Sequence, residues 1–227
     1  MRAINLRNKI MTMLDALESE YHNEACPPEL GHSEPLDGLI LTVLSQNTND
    51  INRDRAFANL KANFPEWQDV INAGSEKLEN VIRTAGLAHT KAARIIKILE
   101  RIHDSFDSYT IKPLAEHEPE FMKEYLRSLP GVGAKTVACT LLFDFKIPAF
   151  PVDTHITRIS RRLGIADSKA SPEDISHMLE EIVPASRCLG GHVNMIAHGR
   201  SICHSQKPEC KSCILCDICE NKKDLEV

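Results

Sequence analysis

Two residues of opposite charge, Lys135 and Asp153, are the strongest candidates for chemistry in the sequence. Lys135 follows segment 129–133 (LPGVG), and apolar residues at helical spacing lie on both sides of that segment. Gly131 and Gly133 allow a sharp bend, or a close approach of the backbone to a ligand. Unpaired amides at the start of the second helix could bind a phosphate. The segment therefore predicts an anion-binding helix-hairpin-helix, with an ordinary helical hairpin as the alternative.

The elements around these two residues can bring them together. A helix of about ten residues is predicted from Lys135, which makes it about 15 Å long. Prolines in segment 146–152 exclude a helix there, and an extended chain at about 3.3 Å per residue can span the return distance. Asp153 then caps a predicted helix over 154–163. An amine, a carboxylate and a phosphate-binding turn would meet at one site, where the amine could attack a sugar carbon. In the alternative, Asp153 is only a cap and Lys135 only a solvated charge.

The second chemical signal is a group of cysteines near the C-terminus. The spacing C-x6-C-x2-C-x5-C is formed by Cys203, Cys210, Cys213 and Cys219. Soft thiolates at such spacing suit zinc or iron–sulfur, and four cysteines can hold a structural zinc ion or a [4Fe–4S] cluster. Cys216 creates a competing run with two residues between successive cysteines, so a different set of four ligands is possible. Thiols without a metal are a third alternative.

Composition narrows the class of protein. The chain has 227 residues, a formal net charge of −5 and eight cysteines. Non-specific nucleic-acid binders are usually basic, although binding depends on where the positive groups lie. We find no apolar run of membrane-spanning length and no secretory signal, and cysteines in such a chain favour a metal over disulfides. A cytoplasmic protein, or a nuclear or organellar one in a eukaryote, is expected.

Apolar periodicity predicts an all-α fold, because no β-alternation is long enough for a strand. The predicted helices cover residues 1–20, a stretch from 35 to about 45, a stretch that stops near 65, a short stretch around 78–82, 91–102, 135–145, 154–163 and a late stretch from 172. One side of the 91–102 helix carries positive charges that either face an anionic partner or are simply solvated: Lys91, Arg94, Lys97 and Arg101. Three scattered cysteines are predicted to be buried thiols: Cys26, Cys139 and Cys188.

Segments 129–136 and 152–155 (VDTH) resemble the helix-hairpin-helix/Gly-Pro-Asp superfamily of DNA glycosylases. Within it, the chain is most similar to endonuclease III, a bifunctional DNA glycosylase with abasic-site lyase activity, over about residues 36–219. The resemblance implies that Lys135 is the nucleophile and Asp153 the essential carboxylate. It also implies that the four cysteines of the C-x6-C-x2-C-x5-C spacing hold a [4Fe–4S] cluster.

The same resemblance implies a set of DNA-binding residues. Asn47 would fill the gap left by an extruded base, Leu87 would enter the base stack as a wedge, and His155 would lie near the DNA. The hairpin would contribute Leu129, Gly131, Val132 and Gly133. The chain departs from the family at two places. The family usually has Gln where this chain has Asn47, with Gln46 adjacent, and the cluster loop 204–209 is less basic than in the family.

The resulting hypothesis is a two-lobed, monomeric base-excision-repair enzyme. Residues 28–147 would form one lobe with the hairpin, and residues 1–27 plus 148–227 the other lobe with the cluster. Double-stranded DNA with damaged bases or abasic sites would lie in a cleft between the lobes, and oxidised pyrimidines are the expected substrates. The alternatives are a mismatch-specific glycosylase of the same superfamily, a non-catalytic damage-binding protein and an iron–sulfur electron carrier.

Overall fold

The computed structural model describes residues 2–23, 26, 28 and 31–221, with side chains from Leu6 onward. This part of the chain contains α-helices and short 3₁₀ and π turns but no β-strand, which confirms the all-α prediction. None of its helices combines the length and apolar character that a membrane span needs. The α-helices are α1 (Arg2–Glu20), α2 (Pro35–Ser45), α3 (Asp50–Asn63), α4 (Trp67–Val81), α5 (Ala88–Phe106), α6 (Pro119–Ser128), α7 (Ala134–Cys139), α8 (Thr154–Leu163), α9 (Pro172–Ile182) and α10 (Cys188–Ser201).

The chain divides into two compact units. The central unit is Gly31–Ile147, and the terminal unit combines Met1–Leu30 with Pro148–Val227. The core of the central unit follows from the apolar spacing in α2 and α5, where every third or fourth side chain is removed from solvent. The fully buried residues of these two helices are Leu36, Leu39, Ile40, Val43, Leu44, Ala92, Ile95, Ile98, Leu99 and Ile102.

Helix α4 is longer than the short helix predicted around 78–82. It begins at Trp67 and contains a break at Gly74, where φ is 77°. Trp67 and Val70 are buried and anchor the first half of α4. The Trp67 indole N–H donates to Asp37 Oδ1 at 3.1 Å. Apolar spacing does not predict this first half, because the sequence between Val70 and Leu78 is polar and contains Gly74. The break at Gly74 also shifts the positions at which apolar residues face the core.

Helix α7 carries the predicted nucleophile and continues into a π-helical turn, Thr140–Asp144. Together they give the length of helix that the sequence predicts after the hairpin. The Thr140 hydroxyl donates to the Thr136 carbonyl at 3.0 Å within this stretch. Residues 136–142 are buried, so only the beginning and the end of the stretch reach solvent.

In the terminal unit, α1 packs against α10, and α8 packs against α9 and α10. The apolar spacing predicted for the first helix is confirmed, because Ile10, Met13, Leu14 and Leu17 are all fully buried. The predicted starts of α8 at Asp153 and of α9 at Ser171 are also confirmed, since both side chains accept hydrogen bonds from backbone amides of the first turn.

The three scattered cysteines divide into two cases. Cys139 and Cys188 are buried, as predicted. The prediction for Cys26 is wrong, because this side chain is exposed. It lies in the segment between α1 and α2, where Asn23 and Cys26 exchange backbone hydrogen bonds in an isolated bridge. A short turn of this kind offers no core to cover a side chain.

Candidate active site

The hairpin turn lies between α6 and α7 in the central unit. Leu129 and Val132 are 2% and 5% exposed, so the turn is anchored by its apolar residues. Gly131 has a φ of 73°, and a Cβ at this position would lie 2.7 Å from Arg94 Cδ. Both the backbone conformation and the neighbouring side chain therefore require glycine here.

Gly133 differs from Gly131 in both respects. Its φ of −98° is open to any residue, and no protein atom lies within 4 Å of a Cβ built there. The fold therefore gives no reason for glycine at this position. An exposed backbone without a side chain, at the start of a helix, leaves room for a ligand to approach the amides.

Lys135 lies in the first turn of α7, two residues after Gly133. It is exposed, while residues 136–139 directly after it are all buried. The first turn of α7 thus presents a single primary amine to solvent beside the open backbone of the turn. This is the arrangement that the sequence predicts for a nucleophile next to a bound phosphate.

The turn after α2 gives its two adjacent amide side chains different surroundings. Gln46 Nε2 donates to the Gly131 carbonyl at 3.1 Å, and Gln46 Oε1 accepts from Arg94 at 3.0 Å. Both ends of the Gln46 amide are therefore used within the central unit. Asn47 is exposed and has a left-handed backbone with a φ of 53°. This supports Asn47, rather than Gln46, as the residue that faces a ligand.

Leu87 is not a core leucine. Its side chain is 58% exposed, and its backbone is left-handed, with φ 48° and ψ 35°, at the N-cap of α5. Such a backbone is costly for a branched side chain, so the surrounding structure must hold it. An exposed leucine in a held turn is suited to a wedge role. Ile51, in the first turn of α3, is 73% exposed and was not predicted.

The prediction that Lys91 shares a basic surface with Arg94, Lys97 and Arg101 is wrong. Lys91 is only 1% exposed, and its Nζ donates to the carbonyls of Leu44 and Ala85, each at 2.8 Å. Burial lowers the pKa of Lys91, and the nearby Arg94 lowers it further. The spacing rule failed because the end of α2 and the turn before α5 cover this side of the helix start. Lys97 and Arg101 are exposed, as predicted.

Asp153 and His155 lie at the start of α8 in the terminal unit. Asp153 Oδ1 accepts from the Ile156 amide at 2.9 Å, which fixes the carboxylate at the helix N-cap. The Arg158 guanidinium lies 3.0 Å from His155 Nδ1. Because arginine can only donate, Nδ1 must accept, which places the imidazole proton on Nε2. Arg158 also donates to the Cys203 and Gly199 carbonyls and thereby joins α8 to the cysteine loop.

The C-terminal cysteines surround one cavity in the terminal unit. Its lining includes all five cysteines of this region, together with Arg162 and Ile202: Cys203, Cys210, Cys213, Cys216 and Cys219. Cys216 therefore lies with the predicted ligands, and both sets of four ligands stay possible. Among residues 2–23, 26, 28 and 31–221, no group of three or more His, Cys, Asp or Glu side chains is placed to hold a metal ion.

The thiols have the donor chemistry of a metal cluster, although in the described part of the chain they do not have the placement of its ligands. Arg162 donates to Cys203 Sγ at 3.2 Å, and His198 Nε2 lies 3.4 Å from Cys213 Sγ. Burial raises the pKa of the Cys213 thiol, and the negative charge of neighbouring cysteines raises it further. The same two causes raise the pKa of Cys219. Crowded thiols that resist deprotonation become favourable as thiolates only when a cation is among them.

Comparison with known proteins agrees with this geometry. The profile described as "HhH-GPD superfamily base excision DNA repair protein" matches residues 40–185. A putative DNA glycosylase of Arabidopsis thaliana is 40% identical over 172 residues, which cover 76% of this chain and 58% of that protein. The endonuclease III of Thermotoga maritima is 36% identical over 190 residues, which cover 83% of this chain and 84% of that protein. The structure of a trapped endonuclease III–DNA covalent intermediate matches with a TM-score of 0.83 and 31% identity, covering 96% and 97% of the two chains.

The chain belongs to the HhH-GPD superfamily of base excision DNA repair proteins. Within this class, its similarity to endonuclease III extends over more than four fifths of both chains. The resemblance to endonuclease III that the hairpin and the 152–155 segment indicate is therefore confirmed. The chain spans less than two thirds of the Arabidopsis protein.

Proposed function

We propose that this protein is a bifunctional DNA glycosylase and abasic-site lyase of base excision repair. Its substrates are damaged bases, above all oxidised pyrimidines, and abasic sites in double-stranded DNA. The observation that carries the proposal is Lys135, an exposed amine in the first turn after the hairpin, in a chain similar to endonuclease III. A covalent endonuclease III–DNA intermediate among the matching structures supports the same chemistry.

Lys135 acts as the nucleophile. Its neutral amine attacks C1′ of the damaged nucleotide, the C1′–N bond breaks, and the base leaves with its electron pair and a proton. The C1′–O4′ bond then breaks, O4′ takes the electron pair and a proton, and the opened sugar remains bound to Lys135 as a Schiff base, which makes the C2′ proton acidic. Loss of that proton expels the 3′ phosphate and cleaves the strand. Water finally releases the sugar from Lys135.

Asp153 acts as the supporting carboxylate. Its charge stabilises the positive charge that develops on the sugar, and it relays protons during base loss and elimination. The cap bond from the Ile156 amide fixes the carboxylate without neutralising it. His155, with its proton on Nε2, donates to the DNA backbone from the same helix start.

The remaining predicted residues bind the deformed duplex. Extrusion of a base costs a few kcal/mol, so residues that replace its contacts assist catalysis. Leu87 fills the stack as an exposed wedge, and Asn47 fills the vacated position in the base pair. The open backbone at Gly133 binds a phosphate. We assign these roles to the two lobes 28–147 and 1–27 plus 148–227, which act together as a monomer in the compartment that holds the cell's DNA.

The cysteine loop holds a [4Fe–4S] cluster in this proposal. Cys203, Cys210, Cys213 and Cys219 are the ligands, and the common cavity and the Arg162 bond to Cys203 support them. When bound, the cluster supplies cross-links that fold a segment with little core of its own. Arg158 and Arg162 fix the backbone of the loop against α8.

Borohydride trapping on an abasic duplex tests the function. The wild-type protein should form a covalent protein–DNA adduct and cleave the strand. Lys135→Gln should lose both while it keeps DNA affinity within about twofold, because one amide replaces one exposed amine. Lys169→Gln, which changes another exposed lysine, is the matched control and should be trapped as the wild type is.

Any other outcome would contradict the proposed nucleophile or indicate a different function. If Lys135→Gln is trapped at the wild-type rate, another amine is the nucleophile and the proposed site is wrong. If the wild type releases bases from a panel of lesions without strand cleavage, the protein is a monofunctional glycosylase. If it binds damaged duplex but releases nothing, it is a damage-binding protein.

A further inference from the structure

One buried lysine connects the two exposed turns that carry Asn47 and Leu87. Both residues have left-handed backbones, with φ values of 53° and 48°. Each turn is preceded by a carbonyl that accepts a hydrogen bond from Lys91 Nζ at 2.8 Å, Leu44 before the first turn and Ala85 before the second. The two turns are 40 residues apart in the chain, yet they share one anchor.

The position of Lys91 is costly and must be compensated. Burying an ammonium group removes its hydration, and isolated charges are almost never fully buried. Here the compensation is two charge-assisted hydrogen bonds to carbonyls at the ends of helical segments, where such oxygens have no intrahelical partner. Lys91 thus supplies the missing hydrogen-bond donor for one carbonyl at the C-terminal end of α2 and for one at the end of the 3₁₀ turn Arg83–Ala85.

Arg94, one turn further along α5, extends the connection to the hairpin. Its guanidinium donates to Gln46 Oε1, and Gln46 Nε2 donates to the Gly131 carbonyl. The Arg94 side chain also occupies the space next to Gly131 that a Cβ would need. Three turns that come from distant parts of the sequence therefore meet at successive positions on one helix face.

We propose that Lys91 and Arg94 are positioning residues that hold the wedge turn, the gap-filling turn and the hairpin in one fixed arrangement. The assignment rests on the proposed function for the roles of these turns. Base extrusion needs the wedge and the gap filler to reach the same base pair together. A common anchor fixes their separation before DNA arrives, so the free protein need not order two strained turns during catalysis.

The first test measures the free protein and does not depend on catalysis. Lys91→Met keeps the length and apolar part of the side chain but removes both hydrogen bonds. Hydrogen exchange at the amides of Gln46, Thr48 and Gly86 should accelerate in both turns, each by about tenfold or more. Lys77→Met, which replaces an exposed lysine of α4, is the matched control and should leave these amides at the wild-type rate. If Lys91→Met leaves one turn protected, the common anchor is refuted.

The second test is a double-mutant cycle on base release under single-turnover conditions. Lys91→Met and Leu87→Ala should each slow base release by about tenfold while changing the dissociation constant for DNA by less than about twofold. The double variant should be no slower than the slower single variant, because both changes disable the same wedge. Additive losses would show that Lys91 acts independently of the wedge and would overturn the proposal.

The outcomes separate this inference from the proposed function. A wild type without base release contradicts the function but leaves the exchange test intact. An active wild type with a Lys91→Met variant that matches Lys77→Met contradicts the inference alone. If Lys91→Met does not fold, Arg94→Met replaces it, since Arg94 is only half-buried. That variant should accelerate exchange at Gln46 and Val132, and unchanged exchange there would overturn the arrangement.

Discussion

Helices α5 and α8 both use cationic side chains to hold loops that carry candidate site residues, but they do so in different environments. In α5, Lys91 is 1% exposed and binds carbonyls of turns that already have their final conformation. In α8, Arg158 and Arg162 are half-buried and bind carbonyls of the cysteine loop. Most of these hydrogen bonds go to backbone oxygens, although Arg162 also donates to Cys203 Sγ.

The two regions differ in the interactions that stabilise their loops. The turns next to α5 are short and rest on a core of α2 and α5 side chains that are fully buried. In the cysteine loop, residues 203–221, Leu215 is the one side chain that is buried. Apolar burial therefore stabilises the first region, whereas the second has little apolar core, for which the proposed metal–thiolate bonds would compensate. In the proposed function, packing would prepare one binding surface and a cofactor the other.

Removal of the metal should cause the largest structural change, and this change should affect the cysteine loop but not the turns next to α5. We expect purified protein to contain about four irons per chain, with broad visible absorption from thiolate-to-iron charge transfer. Cys203→Ser should lose both, and hydrogen exchange should become fast throughout residues 203–221 while the α5 amides stay protected. Cys216→Ser is the matched control and should keep the irons. A colourless protein with one zinc ion would contradict the cluster.

Asp153→Asn should have an intermediate effect, confined to the chemical step. Asparagine caps helices as well as aspartate does, so the free energy of unfolding should hardly change. Base release should slow by about 10²- to 10⁴-fold, because the amide neither stabilises positive charge nor relays protons. Single-turnover assays measure the rate, and iron content should equal that of the wild type. A variant that loses its irons would show that the start of α8 and the cysteine loop cannot be separated.

Leu87→Gly should cause the smallest change, a small increase in the free energy of unfolding, and the sign of that change tests the backbone strain at Leu87. A left-handed residue with a Cβ costs about 1–2 kcal/mol, and glycine costs about 0.5–1 kcal/mol in the unfolded chain. Since Leu87 is mostly exposed, we expect the free energy of unfolding in urea to rise by about 0.5 kcal/mol. Base release should fall, because the wedge is gone. Leu87→Ala keeps the Cβ and should not become more stable, and a less stable glycine variant would mean that Leu87 packs in the core.

Periodicity and capping rules predicted most of the fold. The helices with a regular apolar stripe, such as α1, α2 and α5, were found from spacing alone, and Asp153 and Ser171 marked two helix starts through their capping chemistry. The first half of α4 was missed because Gly74 interrupts its pattern. Apolar spacing predicts a helix only over a stretch with an uninterrupted helical repeat, so a break such as the one at Gly74 removes the pattern.

Candidate site residues can be identified from the sequence where local patterns mark them, and not where tertiary contacts do. The hairpin glycines, Lys135 and the cysteine spacing are local patterns that can be read directly. Lys91 was misjudged because its partners, Leu44 and Ala85, are carbonyls that no sequence pattern marks. The role of Gln46 as an internal link to Gly131 was hidden for the same reason.

The division of the chain has a consequence for its synthesis. Gly31–Ile147 is one continuous segment, whereas α1 belongs with residues made much later. Its acids Asp15 and Glu18 pair with Arg187, at 2.8 and 2.7 Å. At about 5–20 residues per second, α1 waits roughly ten to thirty seconds for that partner segment. During this interval the apolar face of α1 has no native cover until α10 has emerged.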